Sequence, residues 1–248
     1  MRFFLQIAYD GSAFHGWQRQ VNALSVQQSI EEALSLLLTE SITITGAGRT
    51  DAGVHAHRLY AHFDVAKPID TEDLKFRLNR FLPSTIVIHT IIQVKEDAHA
   101  RFDAISRSYR YTIETVKNPF SWHYAHLVEL PLDLRAMNEA AKYLLGSQDF
   151  ECFSRSHTDV KTFYCDIKKA LFTKVDTQII FEITADRFLR NMVRAIVGSL
   201  LEVGLGKREP AWINEVIASK SRSQAGASVP AKGLSLTSVE YPKTLWHE

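Results

Sequence analysis

Apolar and polar positions along this chain fall into two rounds of strands and helices. Phe3 to Tyr9 is an apolar, aromatic run that stops at Asp10-Gly11, a turn signal, and reads as a strand. Ser25 with Gln28 makes a capping box. Behind it Val26, Ile30, Ala33, Leu34, Leu37 and Leu38 recur at helical spacing. Ile42 and Ile44 alternate with threonines as a strand running into a glycine-rich string, and Leu59 to Val65 reads as its partner. Asp70 opens a second helix with the stripe Leu74, Leu78, Phe81 and Leu82. Pro83 ends it, and Ile86 to Val94 is a further strand.

The second half follows the same order loosely. Ser108 to Glu114 alternates as a strand, and Leu132 to Leu145 is a helix with Leu134, Met137, Ala141 and Leu144 inward and Gly146 past its end. Phe163 to Val175 and Ile179 to Ala185 make a hairpin across Asp176-Thr177. Met192 to Val203 is an apolar helix followed by Gly204, Pro210 starts a short helix through Ala218, and Leu234 to Tyr241 closes as a strand. The shared order predicts an α+β protein of two related halves, with mostly antiparallel sheets flanked by helices. The expected domains are 1–105 and 106–248, joined in the stretch His99 to Ser106. Ser219 to Gly233, rich in Ser, Ala and Gly, reads as a loop that is mobile or ordered by a ligand.

With 248 residues and 46% hydrophobic content, the chain can bury a full core. Its net charge of +1 means that any basic surface is local. Cys152 and Cys165 form no C-x-x-C pair, which argues for a reducing, cytoplasmic setting and against a zinc site. The apolar N-terminal run, broken by Gln6 and stopped by Asp10, is too short for a signal peptide, and no stretch reaches membrane-spanning length.

Candidate chemistry concentrates in Gly46-Ala-Gly-Arg-Thr-Asp-Ala-Gly-Val-His-Ala56. One carboxylate, Asp51, stands among small residues, two positions from Arg49, and an extended backbone would point the two the same way. An acid beside a permanent cation stays ionised and suits a nucleophile or base. The competing reading is a turn capped by Asp51 and neutralised by Arg49. His55, His57 and Asp51 also suggest a metal-dependent hydrolase, but no further cluster completes a ligand set. Neither a P-loop nor a dinucleotide loop is present.

The string resembles the signature of the tRNA pseudouridine synthase A family, and further pieces follow in that family's order. These are Tyr9-Asp-Gly-Ser-Ala-Phe-His-Gly-Trp-Gln-Arg-Gln20, Val26-Gln27, Asn79 with Leu82-Pro83, and His99-Ala-Arg-Phe102. Then come Arg107-Ser-Tyr-Arg-Tyr111, Phe188 with Met192-Val-Arg-Ala-Ile-Val-Gly198, Gly233-Leu-Ser-Leu and Val239-Glu-Tyr241. The resemblance implies the pseudouridine synthase fold with a cleft between its halves. It implies an isomerase converting uridine to pseudouridine at tRNA positions 38–40, acting as a homodimer without cofactor or metal. By position, Asp51 resembles the nucleophile, Tyr109 the tyrosine that stacks on the target uracil, and Arg194 the arginine that pairs with the carboxylate. Arg49 matches a holder of the extruded nucleotide's backbone. Without the family, Tyr109 and Tyr111 read as strand core, whereas Arg194 inside an apolar helix calls for a partner. Arg101, Arg107, Arg110, Arg187 and Arg190 are candidate phosphate contacts. Trp17 reads as an RNA contact or an anchoring hydrophobe. After His55-Ala56 the family usually carries Gly-Gln where this chain reads Arg58-Leu59-Tyr60, which bears on hydrogen bonding behind the site. The rival from another class is a non-catalytic RNA-binding module with aromatic strands. It lacks an RNP-like strand motif and leaves Asp51 unexplained.

Overall fold

The structure, a computed structural model, describes residues 1–155 and 160–246. The chain divides into two compact units: Met1–Ser106 with the C-terminal segment from Leu236, and Arg107–Ser235.

The first unit carries β1 (Arg2–Tyr9), α1 (Val26–Leu38), β2 (Thr45–Gly46), β3 (His55–Asp64), α2 (Thr71–Phe81) and β4 (Ile86–Val94). Its sheet runs β4-β1-β3, antiparallel throughout, with β2 added on β3. Along β1, Phe3, Leu5 and Ile7 bury on one face. On the other, Phe4 meets Tyr60, Tyr241 and Trp246, with ring centroids 6.4, 5.5 and 5.8 Å away. Both helices start as their caps dictate. Ser25 accepts from the Gln28 N–H at 3.2 Å, and Asp70 accepts from Glu72 and Asp73, both at 3.0 Å. The capping box is only half formed, because the Gln28 amide turns to Glu32 at 2.8 Å.

Ile42 and Ile44 are buried as the alternation predicts, yet they lie outside any strand. Side chains of α1 take the place of a strand partner. Ser35 Oγ accepts the Ile42 N–H at 2.9 Å and Glu31 Oε1 accepts the Ile44 N–H at 3.1 Å. Glu31 itself is 5% exposed and also receives Arg19 at 3.1 Å and Gln27 at 2.9 Å, a buried carboxylate with every bond answered.

The second unit carries β5 (Ser106–Glu114), β6 (His126–Leu127), α3 (Leu134–Lys142), β7 (Gly146–Asp149), β8 (Tyr164–Val175), β9 (Gln178–Ala185), α4 (Met192–Gly204) and α5 (Trp212–Ser219). The chain then returns through β10 (Leu234–Glu240). Its strands run β5-β9-β8-β7, antiparallel, with β6 parallel to β5. The β8–β9 hairpin turns at Asp176, whose φ of 51° is the left-handed conformation such turns require. α3 begins two residues later than the apolar pattern suggests, because Asp133 caps it by accepting the Ala136 N–H at 2.9 Å. No helix among the described residues is long and apolar enough to cross a membrane.

Candidate active site

The loop bearing Asp51 is built by two flanking segments. β2 and β3 fix its ends through Thr45↔His62 and Gly46↔Ala61, and the Ala47 N–H reaches the Tyr60 carbonyl at 2.7 Å. Within it, the Val54 N–H donates to the Asp51 carbonyl at 3.1 Å, closing a four-residue turn with Gly53 at φ 76° in its third position, as a type II turn demands.

The stretch Gly11 to Trp17 presses against this loop from outside. Trp17 N–H donates to the Thr50 carbonyl at 3.3 Å, Gly53 N–H to the Phe14 carbonyl at 3.3 Å, and the Tyr9 hydroxyl lies 2.8 Å from Thr50 Oγ1. The approach is so close that a Cβ at Gly16, already at φ 90°, would meet the Thr50 carbonyl at 2.4 Å. One at Gly11 would meet that of Val54 at 2.1 Å. Trp17 is 2% exposed and packs its indole on Gly46, with the Tyr9 ring 6.2 Å away. It is therefore an anchoring hydrophobe. Periodicity does not reveal this clasp, because its two sides are distant in sequence; Gly11 and Gly16 are its signal in the chain.

Asp51 is half-buried and Arg49 is exposed. Thr50, held from both sides, fixes the backbone between them. His55 is 4% exposed, and its Nδ1 accepts the Gly11 N–H at 3.1 Å with Asp10 Oδ1 also 3.1 Å away. His57 is exposed. The β1–β3 register slips between Ile7↔Leu59 and Tyr9↔Ala56, a bulge that turns His57 and Arg58 both outward and leaves Leu59 buried. This is the place of the Arg58-Leu59 departure. Among the described residues no three His, Cys, Asp or Glu side chains gather as metal ligands, so the His55, His57, Asp51 reading lacks its geometry.

In the second unit, Tyr109 lies half-buried on β5 with its ring edge-to-face against Phe188, centroids 5.1 Å apart at 87°. Tyr111, two residues on, is fully buried core. Its hydroxyl donates to the Pro230 carbonyl at 2.9 Å, and burial raises its pKa. Arg194 stands in the first turn of α4, its Nε donating to the Val229 carbonyl at 2.7 Å. That bond belongs to a set that fixes the 219–233 segment. Gly226 N–H donates to Ser199 Oγ at 2.8 Å, Asn191 Nδ2 to Ser228 Oγ at 2.6 Å, and Arg222 to the Ala225 and Gly226 carbonyls at 3.3 and 3.0 Å. The Ala227 carbonyl fits where Gly198 has no Cβ. The small residues that suggest a loose loop are what lets it pack directly on α4.

Two of the candidate phosphate arginines on β5 have partners within their own unit. Arg110 pairs with Glu182 at 3.5 Å beside Lys169, and Arg107 donates to the Asp186 carbonyl at 2.7 Å. Cys152 and Cys165 are free and buried, and burial pushes both thiols up to about 12.

A sequence-family model described as tRNA pseudouridine synthase matches residues 6–103 and 140–242. The chain is 50% identical to tRNA pseudouridine synthase A of Bacteroides thetaiotaomicron, covering all of this chain and 93% of that protein. It is 48% identical to the protein of the same name from Bacteroides fragilis (99% and 98% covered) and 43% identical to that of Brevibacillus brevis (95% and 97% covered).

Proposed function

The chain belongs to the tRNA pseudouridine synthase family, and we propose that it isomerises uridine to pseudouridine at positions 38–40 of the tRNA anticodon stem-loop with Asp51 as nucleophile. One observation carries this reading: a half-buried carboxylate on a loop clasped from outside by the Gly11–Trp17 backbone, so that its position is set before substrate arrives.

The target base must leave its stack, which costs a few kcal/mol. Tyr109, oriented by Phe188, offers a ring to the extruded uracil. Asp51 then attacks uracil C6 or ribose C1′, or removes the C2′ proton to give a glycal. In each route the N1–C1′ bond breaks, the uracil turns within the site, and C5 bonds to C1′. C5 loses its proton and N1 gains one. The sum is an isomerisation with no electrons and no group exchanged with an outside reagent, so its balance requires no cofactor. By analogy with the family, Arg194 is the arginine that pairs with the carboxylate; within its own unit, its Nε bond to Val229 fixes the plane of the guanidinium. Arg49, exposed beside Asp51, holds the backbone of the extruded nucleotide. By the same analogy the protein works as a homodimer on tRNA in the cytoplasm, where two local basic surfaces compensate for a net charge of only +1.

Unmodified tRNA carrying tritium at uridine C5 tests the proposal, because C5 becomes the glycosidic carbon and must release its label. Release by the wild type that disappears in Asp51→Ala and Asp51→Asn, with tRNA still bound, is the expected result. An active Asp51→Asn protein would sink the mechanism. Tight tRNA binding by the wild type without release would favour the RNA-binding module.

A further inference from the structure

The segment His99 to Phe102 has four consecutive backbone N–H groups, each taken by a side chain. His99 N–H donates to Asp103 Oδ2 at 2.7 Å and Ala100 N–H to His62 Nδ1 at 3.1 Å. Arg101 and Phe102 N–H share His99 Nδ1 at 3.1 and 3.3 Å. Two carbonyls at and beside the segment are held as well. Tyr241 donates its hydroxyl to Ala100 at 2.5 Å and Arg2 Nη1 donates to Ala98 at 2.9 Å.

On this frame a chain of ring contacts, stacked, edge-to-face and tilted in turn, runs outward from the core. Fully buried Phe4 lies 6.1 Å from His62, nearly parallel at 25°. His62 lies 4.7 Å from His99, and His99 4.2 Å from Phe102. The Arg101 guanidinium sits over the Phe102 ring at 5.7 Å, and Phe102 ends the ladder 74% exposed. So much backbone and ring bonding spent on presenting a phenylalanine to water points to a surface that meets a partner.

We propose that Phe102 and Arg101 form a docking step for the tRNA substrate. Phe102 takes an unstacked base or ribose against its exposed ring, and Arg101 takes a neighbouring phosphate. This rests on the functional reading above and extends its substrate site to a second place on the first unit. The pairing of an aromatic face with a guanidinium is the chemistry that holds single-stranded or extruded nucleotides. A cation over the ring favours a polyanion over a second apolar surface. The fixed backbone removes the ordering cost that a mobile aromatic would add on binding.

The test is the affinity of labelled, unmodified tRNA and its salt dependence for the wild type, Phe102→Ala, Phe102→Tyr and Arg101→Ala. Phe102→Ala should weaken binding roughly tenfold or more, whereas Phe102→Tyr stays within about twofold. Arg101→Ala should lower the slope of log K against log salt by about one. Unchanged affinity in a folded Phe102→Ala protein overturns the proposal. So does an unchanged salt slope in Arg101→Ala. A fall in particle mass of Phe102→Ala with tRNA affinity unaltered assigns the ring to self-association and overturns it too. If the wild type binds tRNA but releases no tritium, the isomerase reading fails while the affinity loss in Phe102→Ala still supports the docking step. A wild type that does not bind tRNA removes both.

Discussion

Arg194 and Val229 hold each other in two directions. The arginine Nε donates to the Val229 carbonyl at 2.7 Å, and the Val229 N–H donates to the Arg194 carbonyl at 3.2 Å. Arg194 thus joins Ser199 in fixing the returning segment and has its own guanidinium plane fixed in turn. Arg194→Lys keeps the charge but loses the Nε donor, so the Val229 carbonyl loses a charged partner. Such a bond is worth about 2 kcal/mol. We expect that much loss in urea denaturation together with a fall in tritium release of at least tenfold. A lysine variant with wild-type turnover would show that the fork geometry at this position is dispensable.

The clasp predicts a separation of activity from stability. Gly16→Ala forces a side chain into left-handed backbone against the Thr50 carbonyl, which must displace the residue preceding Asp51. The expected stability cost is about 1–3 kcal/mol. Single-turnover isomerisation should fall by more than the corresponding change in folded population, since a shift of about 1 Å at a reacting group costs on the order of a hundredfold. Equal and small losses in both would mean that the Asp51 loop tolerates displacement.

Acid should loosen the His99–Phe102 frame. His62 is buried and must keep a lone pair on Nδ1 to accept the Ala100 N–H. Burial, with Arg2 and His99 adding to it, pushes its pKa down from 6.5 to about 4, against the opposing pull of Asp64 and Asp103. Burial lowers His99 as well. A folded pKa below the unfolded one means that the unfolded chain takes the proton first as pH falls. The stability is complete above about 6.5 and is lost between 6.5 and 4, by about 3 kcal/mol for His62. Urea midpoints at pH 7.5, 6 and 5 should trace that decline, and His62→Asn, which cannot titrate, should flatten it.

Glu31 replaces a missing strand partner, so its loss should be felt in α1 and the approach to the Asp51 loop. Glu31→Leu leaves the buried Ile44 N–H without its acceptor and takes one of two acceptors from the Gln27 amide, which keeps the Ile44 carbonyl at 2.9 Å. The expected cost is roughly 3 kcal/mol. Thermal unfolding measures it, and a variant as stable as the wild type would show that water or Gln27 rearrangement replaces the carboxylate.

The two thiols should be inert in the folded protein. Both are buried with pKa values pushed up to about 12, so almost no thiolate exists near neutrality. A chromogenic disulfide reagent at pH 8 should react with them only at the rate of opening, and fully in denaturant. Immediate reaction of either cysteine under native conditions would contradict the packing around it.

Much of this protein is determined by local signals in its sequence. The 3.6-residue and two-residue periods placed α1, α2, α4 and most strands, and Asp70, Ser25 and Asp176 acted through the few residues beside them. The glycine string marked the Asp51 loop because its turn is closed within four residues. What tertiary structure decided depended on partners distant in sequence. Ile42 and Ile44 have the alternation of a strand, but Glu31 and Ser35 on α1 claimed their N–H groups first. The position of Asp51 within its loop is set by Tyr9 and Trp17, which hold the preceding Thr50 from a distant part of the chain. The Ser-, Ala- and Gly-rich segment after Ser219 has the composition of a loose linker, and only its meeting with Gly198, Ser199 and Arg194 turns small side chains into close packing. Composition fixes how near a backbone can come to another. Whether another backbone is there to meet it is decided by the fold.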